Sequence, residues 1–145
     1  MVSRMVSSLY RSGCVSVGVL AGARPTFAAW VAIVLAATVK ATAGLPGLYS
    51  LVKASRLRER AGRGIDETRM CESVRTAAVM LPFSTHCLVR SVATVVLLRA
   101  AGRPAEMVIG CRQLPFAAHA WVEVDGLPVS EEHDPRQLYV EIDRV

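Results

Sequence analysis

Aromatic residues are scarce in this chain, at 6% of 145 residues, and its two tryptophans stand far apart at positions 30 and 121. Proteins that grip single-stranded nucleic acid stack bases on interleaved aromatics, so the excess of 17 basic over 12 acidic residues has no stacking stripe to go with it. No nucleic-acid partner is expected. Histidine is rarer, with three copies, and the four cysteines at 14, 71, 87 and 111 form no C-x-x-C pair. Zinc-ligand spacing and a dense disulfide framework are therefore both missing, so no metal and no cofactor are expected and a reduced, cytoplasmic setting is favoured. Glycine and proline, at 10 and 7, are near average usage, which excludes collagen-like and linker-like chains. An uninterrupted run of membrane length is also lacking: residues 25–39 (PTFAAWVAIVLAATV) are fifteen without a charge, whereas spanning a bilayer takes about 20.

What is present is apolar content of 52%, enough in 145 residues for one domain with a real core. The net charge of +5 suits an acidic peptide or an anionic surface without choosing between them. Residues 27–40 and 46–55 read as two buried helices packed on the domain behind them. Because basic residues flank the first of these, a peripheral contact with the inner membrane leaflet is the alternative use of that segment. Arg4 and Arg11 precede an apolar stretch at 14–23 that faintly resembles a signal peptide, but a continuous apolar core is missing. The basic stretch 53–63 (KASRLRERAGR) divides an N-terminal helical segment, 1–63, from a core, 64–145, within a single domain of 1–145. Such a charge run is read as a solvated helix end, with docking of an acidic peptide as the functional alternative.

From Asp66 onward the pattern sharpens. Asp66 is placed to cap a helix over 67–81, in which Met70, Val74, Ala77, Ala78 and Leu81 fall at helical spacing and which Pro82 stops. Ser84 or Thr85 is the expected N-cap of a second helix over 87–101, apolar on most sides and ended by Gly102. Strands are expected at 105–112, 117–124 and 127–132, the last two joined by Asp125-Gly126, a dipeptide suited to the positive φ of a two-residue hairpin turn. Alternation puts Ala118, Ala120, Val122, Val124, Leu127 and Val129 on one face, and His119, Trp121, Glu123, Ser130 and Glu132 on the other. The fold class is α+β: N-terminal helices, then a central helix starting at a cysteine, packed on a small antiparallel sheet.

That order suits a thiol nucleophile. A cysteine in the first turn of a helix has the positive helix end beside its sulfur, which favours the thiolate, and nearby N–H groups to receive a developing oxyanion. Cys87 holds that place, and a histidine on a neighbouring strand, His119, can activate the thiol and later protonate a leaving amine. Cys14, Cys71 and Cys111 are read as small core residues. Trp121 shields the imidazole or packs across strands, Arg90 is assigned a structural role pairing a core carboxylate, with support of the Cys87 thiolate as the alternative, and the loop 113–116 borders the substrate cleft.

The string Leu81-Pro82, Cys87-Leu88-Val89-Arg90-Ser91, Leu97-Leu98-Arg99, Gly102, Ile109-Gly110, Pro115-Phe116 and His119-Ala120-Trp121-Val122-Glu123 through Val129 resembles the lasso-peptide leader peptidases. These are transglutaminase-like, papain-like proteins of the kind found as the C-terminal domain of the microcin J25 maturation protease. The likeness covers roughly residues 67–132. It implies a cysteine peptidase that removes the leader from a ribosomally made lasso precursor, with Cys87 as nucleophile and His119 as base. Implied partners are the precursor peptide, a separate leader-recognition protein and the ATP-dependent lasso cyclase. The family's third residue is an aspartate twelve positions after the histidine, and here that position is Glu131. Hairpin register instead sets His119 opposite Glu132 and turns Glu131 to the other side unless a bulge intervenes. Glu132 is thus the rival, with Asp134 and Asp143 weaker candidates. A non-catalytic precursor-binding scaffold and a thiol acyltransferase are the alternative functions.

Overall fold

Ala28, Ala29, Ala32, Ile33 and Ala36 recur at three- and four-residue spacing, and in the computed structural model, which describes residues 25–56, 66–82 and 85–145, they form the buried stripe of helix α1 (Pro25–Ala54). Small side chains on that stripe let neighbouring helices approach closely. Gly44, at φ +62°, breaks α1 just before Pro46, and the second piece buries Leu48 and Val52. The two expected N-terminal helices are thus two pieces of one element. Because α1 continues through Lys40, it is long and apolar enough by length and composition to cross a membrane, which its uncharged run alone did not suggest; here the alanine stripe lies in the protein core.

Helix α2 (Glu67–Val79) starts at Asp66, whose carboxylate accepts the Arg69 N–H at 3.3 Å, as the capping pattern predicts. It buries Val74, Ala77 and Ala78. Helix α3 (Cys87–Ala100) is the centre of the molecule: Val89, Val92, Ala93, Val95, Val96, Leu97 and Leu98 are all buried, each large one contributing about 1.5–3 kcal/mol of apolar burial. Gly102, at φ +84°, follows its end. The Arg99 guanidinium closes the far end of the helix, donating from Nε to the Ala105 carbonyl and from Nη1 to the Val52 carbonyl, each at 2.7 Å. Its donors thereby join α1, α3 and the first strand.

The sheet comprises β1 (Ala105–Gln113), β2 (Phe116–Val124), β3 (Leu127–Pro128) and β4 (Val140–Arg144), antiparallel throughout in the order β3-β2-β1-β4. Asp125 at φ +52° and Gly126 at φ +76° make the expected tight turn, and Val124 pairs with Leu127. Three expectations need correction. The third strand ends at Pro128 and does not run to Glu132: the Val129 N–H still reaches the Val122 carbonyl at 3.0 Å, and beyond it the chain leaves β2. A fourth strand, β4, was not anticipated; it covers the outer edge of β1, with Val108 opposite Arg144 and a bulge at Ile109/Gly110. The face that alternation sets opposite the apolar one is itself buried at Trp121 and Glu123, which are 0% and 2% exposed. Gly110 is what allows the tryptophan to lie there, since a Cβ at that position would stand 2.8 Å from the indole ring carbons. Around them, Trp121 Nε1–H donates to Glu123 at 2.9 Å, and Arg144 bonds Glu123, Glu106 and Glu141.

Candidate active site

Cys87 is the first residue of α3, with His86 in the N-cap position and no side-chain cap bond. The expected cap at Ser84 lies outside the described residues, and Thr85 precedes the cap; the thiol is therefore closer to the helix end than a Ser84 cap would place it. The helix N-terminus leaves N–H groups without intrahelical partners, and the half-buried sulfur sits among them. Ser91, one turn on, fixes the helix to the sheet by donating its hydroxyl to the Ala120 carbonyl at 2.8 Å. That bond sets the level of Cys87 against β2.

His119 comes from β2, opposite Gly110 of β1. Its imidazole hydrogen-bonds the Cys87 thiol, and its Nε2 lies 3.2 Å from Glu131 Oε1. With Nε2 committed to the carboxylate, Nδ1 is the nitrogen left for sulfur. The bond to His119 lowers the Cys87 pKa against the opposing effect of burial, and the N–H groups of Ala120 and Leu88 lower it further. The same contact with the thiol, followed by the bond to Glu131, raises His119 from an ordinary 6.5 to about 9. Both shifts favour a thiolate beside an imidazolium.

The structure brings Cys87, His119 and Glu131 together and leaves Glu132 out. After Val129 the chain leaves the sheet, so the strand register that favoured Glu132 no longer applies; Glu132 is an exposed partner of Arg75 at 3.7 Å. No bulge is needed to turn Glu131 round. Asp134 caps the 3-10 turn Pro135–Gln137 and binds Arg136, while Asp143 accepts the Tyr49 hydroxyl on the other face of the molecule's sheet. Arg90 pairs with no carboxylate among the described residues, contrary to the structural role expected for it. The loop 113–116 is the tip of the β1–β2 hairpin.

Sequence reasoning missed Tyr139, whose ring centroid is 5.4 Å from that of His119 and which has the Arg112 guanidinium 5.6 Å over its own centroid. No spacing rule links a loop tyrosine to a strand histidine. Trp121 flanks the imidazole from the strand side, stacked at 6.3 Å. The ring of His119 thus has two aromatic neighbours, and it lines an open cleft of about 370 Å³ together with Arg75, Glu131, Glu132, Asp134 and Tyr139. Cys71 differs from Cys87: burial pushes its thiol up to about 11, with Glu67 and Asp66 adding to the effect. Cys111 is a free, half-buried thiol on β1. Cys14 lies outside the described residues.

Such a constellation can supply a nucleophile, a proton carrier and an orienting carboxylate. Across the chain, residues 27–144 match the profile of the transglutaminase-like superfamily. No curated protein and no solved structure matches the chain.

Proposed function

We propose that this chain, which belongs to the transglutaminase-like superfamily, is a cysteine peptidase that removes the leader from a ribosomally synthesised lasso-peptide precursor. One observation carries the peptidase reading: a helix-start thiol, an imidazole and a carboxylate in one continuous line of contacts from Cys87 through His119 to Glu131. The lasso precursor as substrate rests on the resemblance in the motifs around Cys87 and His119.

In this reading the Cys87 thiolate attacks the carbonyl carbon of the scissile bond, and the N–H groups at the start of α3 receive the charge on its oxygen. The His119 imidazolium gives its proton to the leaving amine, and then as a neutral base takes one from the water that hydrolyses the thioester. Glu131 keeps the ring in the required tautomer and stabilises its cationic form. A separate leader-recognition protein delivers the precursor, and an ATP-dependent cyclase consumes the freed amine, all in the cytoplasm.

The test is mass spectrometry of a lasso precursor incubated with the protein and a leader-recognition partner, wild type against Cys87→Ala and Cys71→Ala. Leader loss in wild type and Cys71→Ala, but not in Cys87→Ala, is expected. Turnover that persists in Cys87→Ala, or a precursor bound but left whole by the wild type, overturns the assignment.

A further inference from the structure

Along β2 the backbone alternates as strictly as the side chains do, and every second residue turns its N–H and C=O away from β1. Met107 fixes which ones. Both its backbone groups are spent on Val145, at 2.8 and 2.9 Å, so its partner Val122 points outward, and with Val122 go Val124, Ala120, Ala118 and Phe116.

Following that outward edge from the hairpin turn, each place is filled until one is not. Val124 pairs with Leu127, and the Val122 carbonyl accepts the Val129 N–H at 3.0 Å. Ala120 gives its N–H to the Cys87 thiol and takes the Ser91 hydroxyl on its carbonyl. Next comes Ala118, exposed, with no partner for either backbone group among the described residues. The β3 segment leaves the sheet after Val129, and among the described residues nothing else covers this place. Beyond it, Phe116 and Leu114 are 78% and 93% exposed, two apolar side chains at the tip of the hairpin.

An edge with one N–H/C=O pair unpartnered among the described residues, next to a reactive thiol, fits one kind of molecule, an extended peptide, because only a peptide offers the complementary pair at strand spacing. We propose that the substrate binds as an added strand on the open edge of β2, exchanging backbone hydrogen bonds with Ala118, so that its scissile carbonyl lies at Cys87 one outward place further along. The assignment rests on the peptidase reading and deepens it. Recognition at this place is through main chain, and the apolar pair Leu114 and Phe116 offers contact to a side chain further from the cut. Alanine at 118 presents little bulk to an incoming backbone.

The experiment compares two alkylating probes that share a warhead: chloroacetone, which has no backbone, and acetyl-tetraalanyl chloromethyl ketone. Each forms a C–S bond to the Cys87 thiolate and expels chloride, and peptide mapping reports the modified cysteine. The tetraalanyl probe is remade with each amide N-methylated in turn. The expected result is faster labelling of Cys87 by the peptide than by chloroacetone, a gain cut about five- to tenfold by methylation at one amide and spared at its neighbours. Ala118→Pro, which removes the outward N–H at an edge where proline is tolerated, should cut the same ratio of peptide to chloroacetone rates within one protein. The methylated series uses wild-type protein, so it decides the matter even if that variant does not fold. Selective labelling of Cys87 by chloroacetone, with a peptide ratio indifferent to methylation, overturns the edge and leaves the peptidase standing. If Cys87 reacts with chloroacetone no faster than Cys71 and Cys111, the peptidase reading falls and the edge proposal with it.

Discussion

Exchanging Glu131 for glutamine removes one negative charge while keeping the side chain's length and its ability to bond the imidazole. His119 is held at about 9 by the thiol and by this carboxylate, against an ordinary 6.5. Such a displacement corresponds to about 3 kcal/mol of preference for the imidazolium, shared between the two partners. Loss of the carboxylate charge should therefore bring the His119 midpoint down by roughly one pH unit, leaving the part that Cys87 supplies. The assay is an NMR titration of histidine-labelled protein, in which the resonance missing from His119→Ala identifies the ring. Acylation of Cys87 should slow about tenfold, since a thiolate loses stabilisation with its imidazolium. A midpoint that stays put in Glu131→Gln but drops in Glu132→Gln would refute the orientation argued here and restore the carboxylate that strand register favoured.

The pair also governs stability against pH. The raised His119 pKa contributes stability that is full below about 6.5 and lost as pH rises through about 9, whereas the lowered Cys87 pKa contributes stability present above the ordinary thiol value of 9.0 and lost as pH falls through its folded value. Between those limits the two slopes oppose each other. Wild-type unfolding free energy should therefore fall less across that interval than that of Cys87→Ser, which keeps only the His119–Glu131 contact and should lose stability with rising pH in denaturant titrations. A packing test lies at Gly110→Ala, where the new methyl would meet the Trp121 ring at 2.8 Å and the Val140 carbonyl at 3.0 Å. Thermal unfolding should show a loss of about 1–3 kcal/mol, together with a changed His119 titration as the indole shifts.

Much of this arrangement was legible in the sequence because it is local. Asp66 as a cap, the apolar helix from Cys87, and Asp125-Gly126 as a turn are each decided within a few residues by backbone sterics and capping chemistry. What resisted was decided over distance. The strand at Val140–Arg144 is short and exposed along its whole length, so burial gave no alternation to read. Trp121 and Glu123 sit on a face that looks polar in sequence. Their burial depends on Arg144, 21 residues beyond Glu123, and on a glycine across the sheet. Glu131 was reached by resemblance and not by register, since counting along a strand assumes that the strand continues.

The three members of the site are carried by unequal supports. Cys87 starts a helix buried in the core and His119 lies in a strand paired along its length, whereas Glu131 belongs to the connection between β3 and the 3-10 turn, outside both helices and sheet. Segments of that kind open at lower free energy than the body they are attached to. On gentle warming the carboxylate is thus expected to be the first member released, and the proposed peptidase activity would be lost while circular dichroism still reads as native. A half-life measured by activity would then report the departure of one side chain, and a half-life measured by structure the melting of the core.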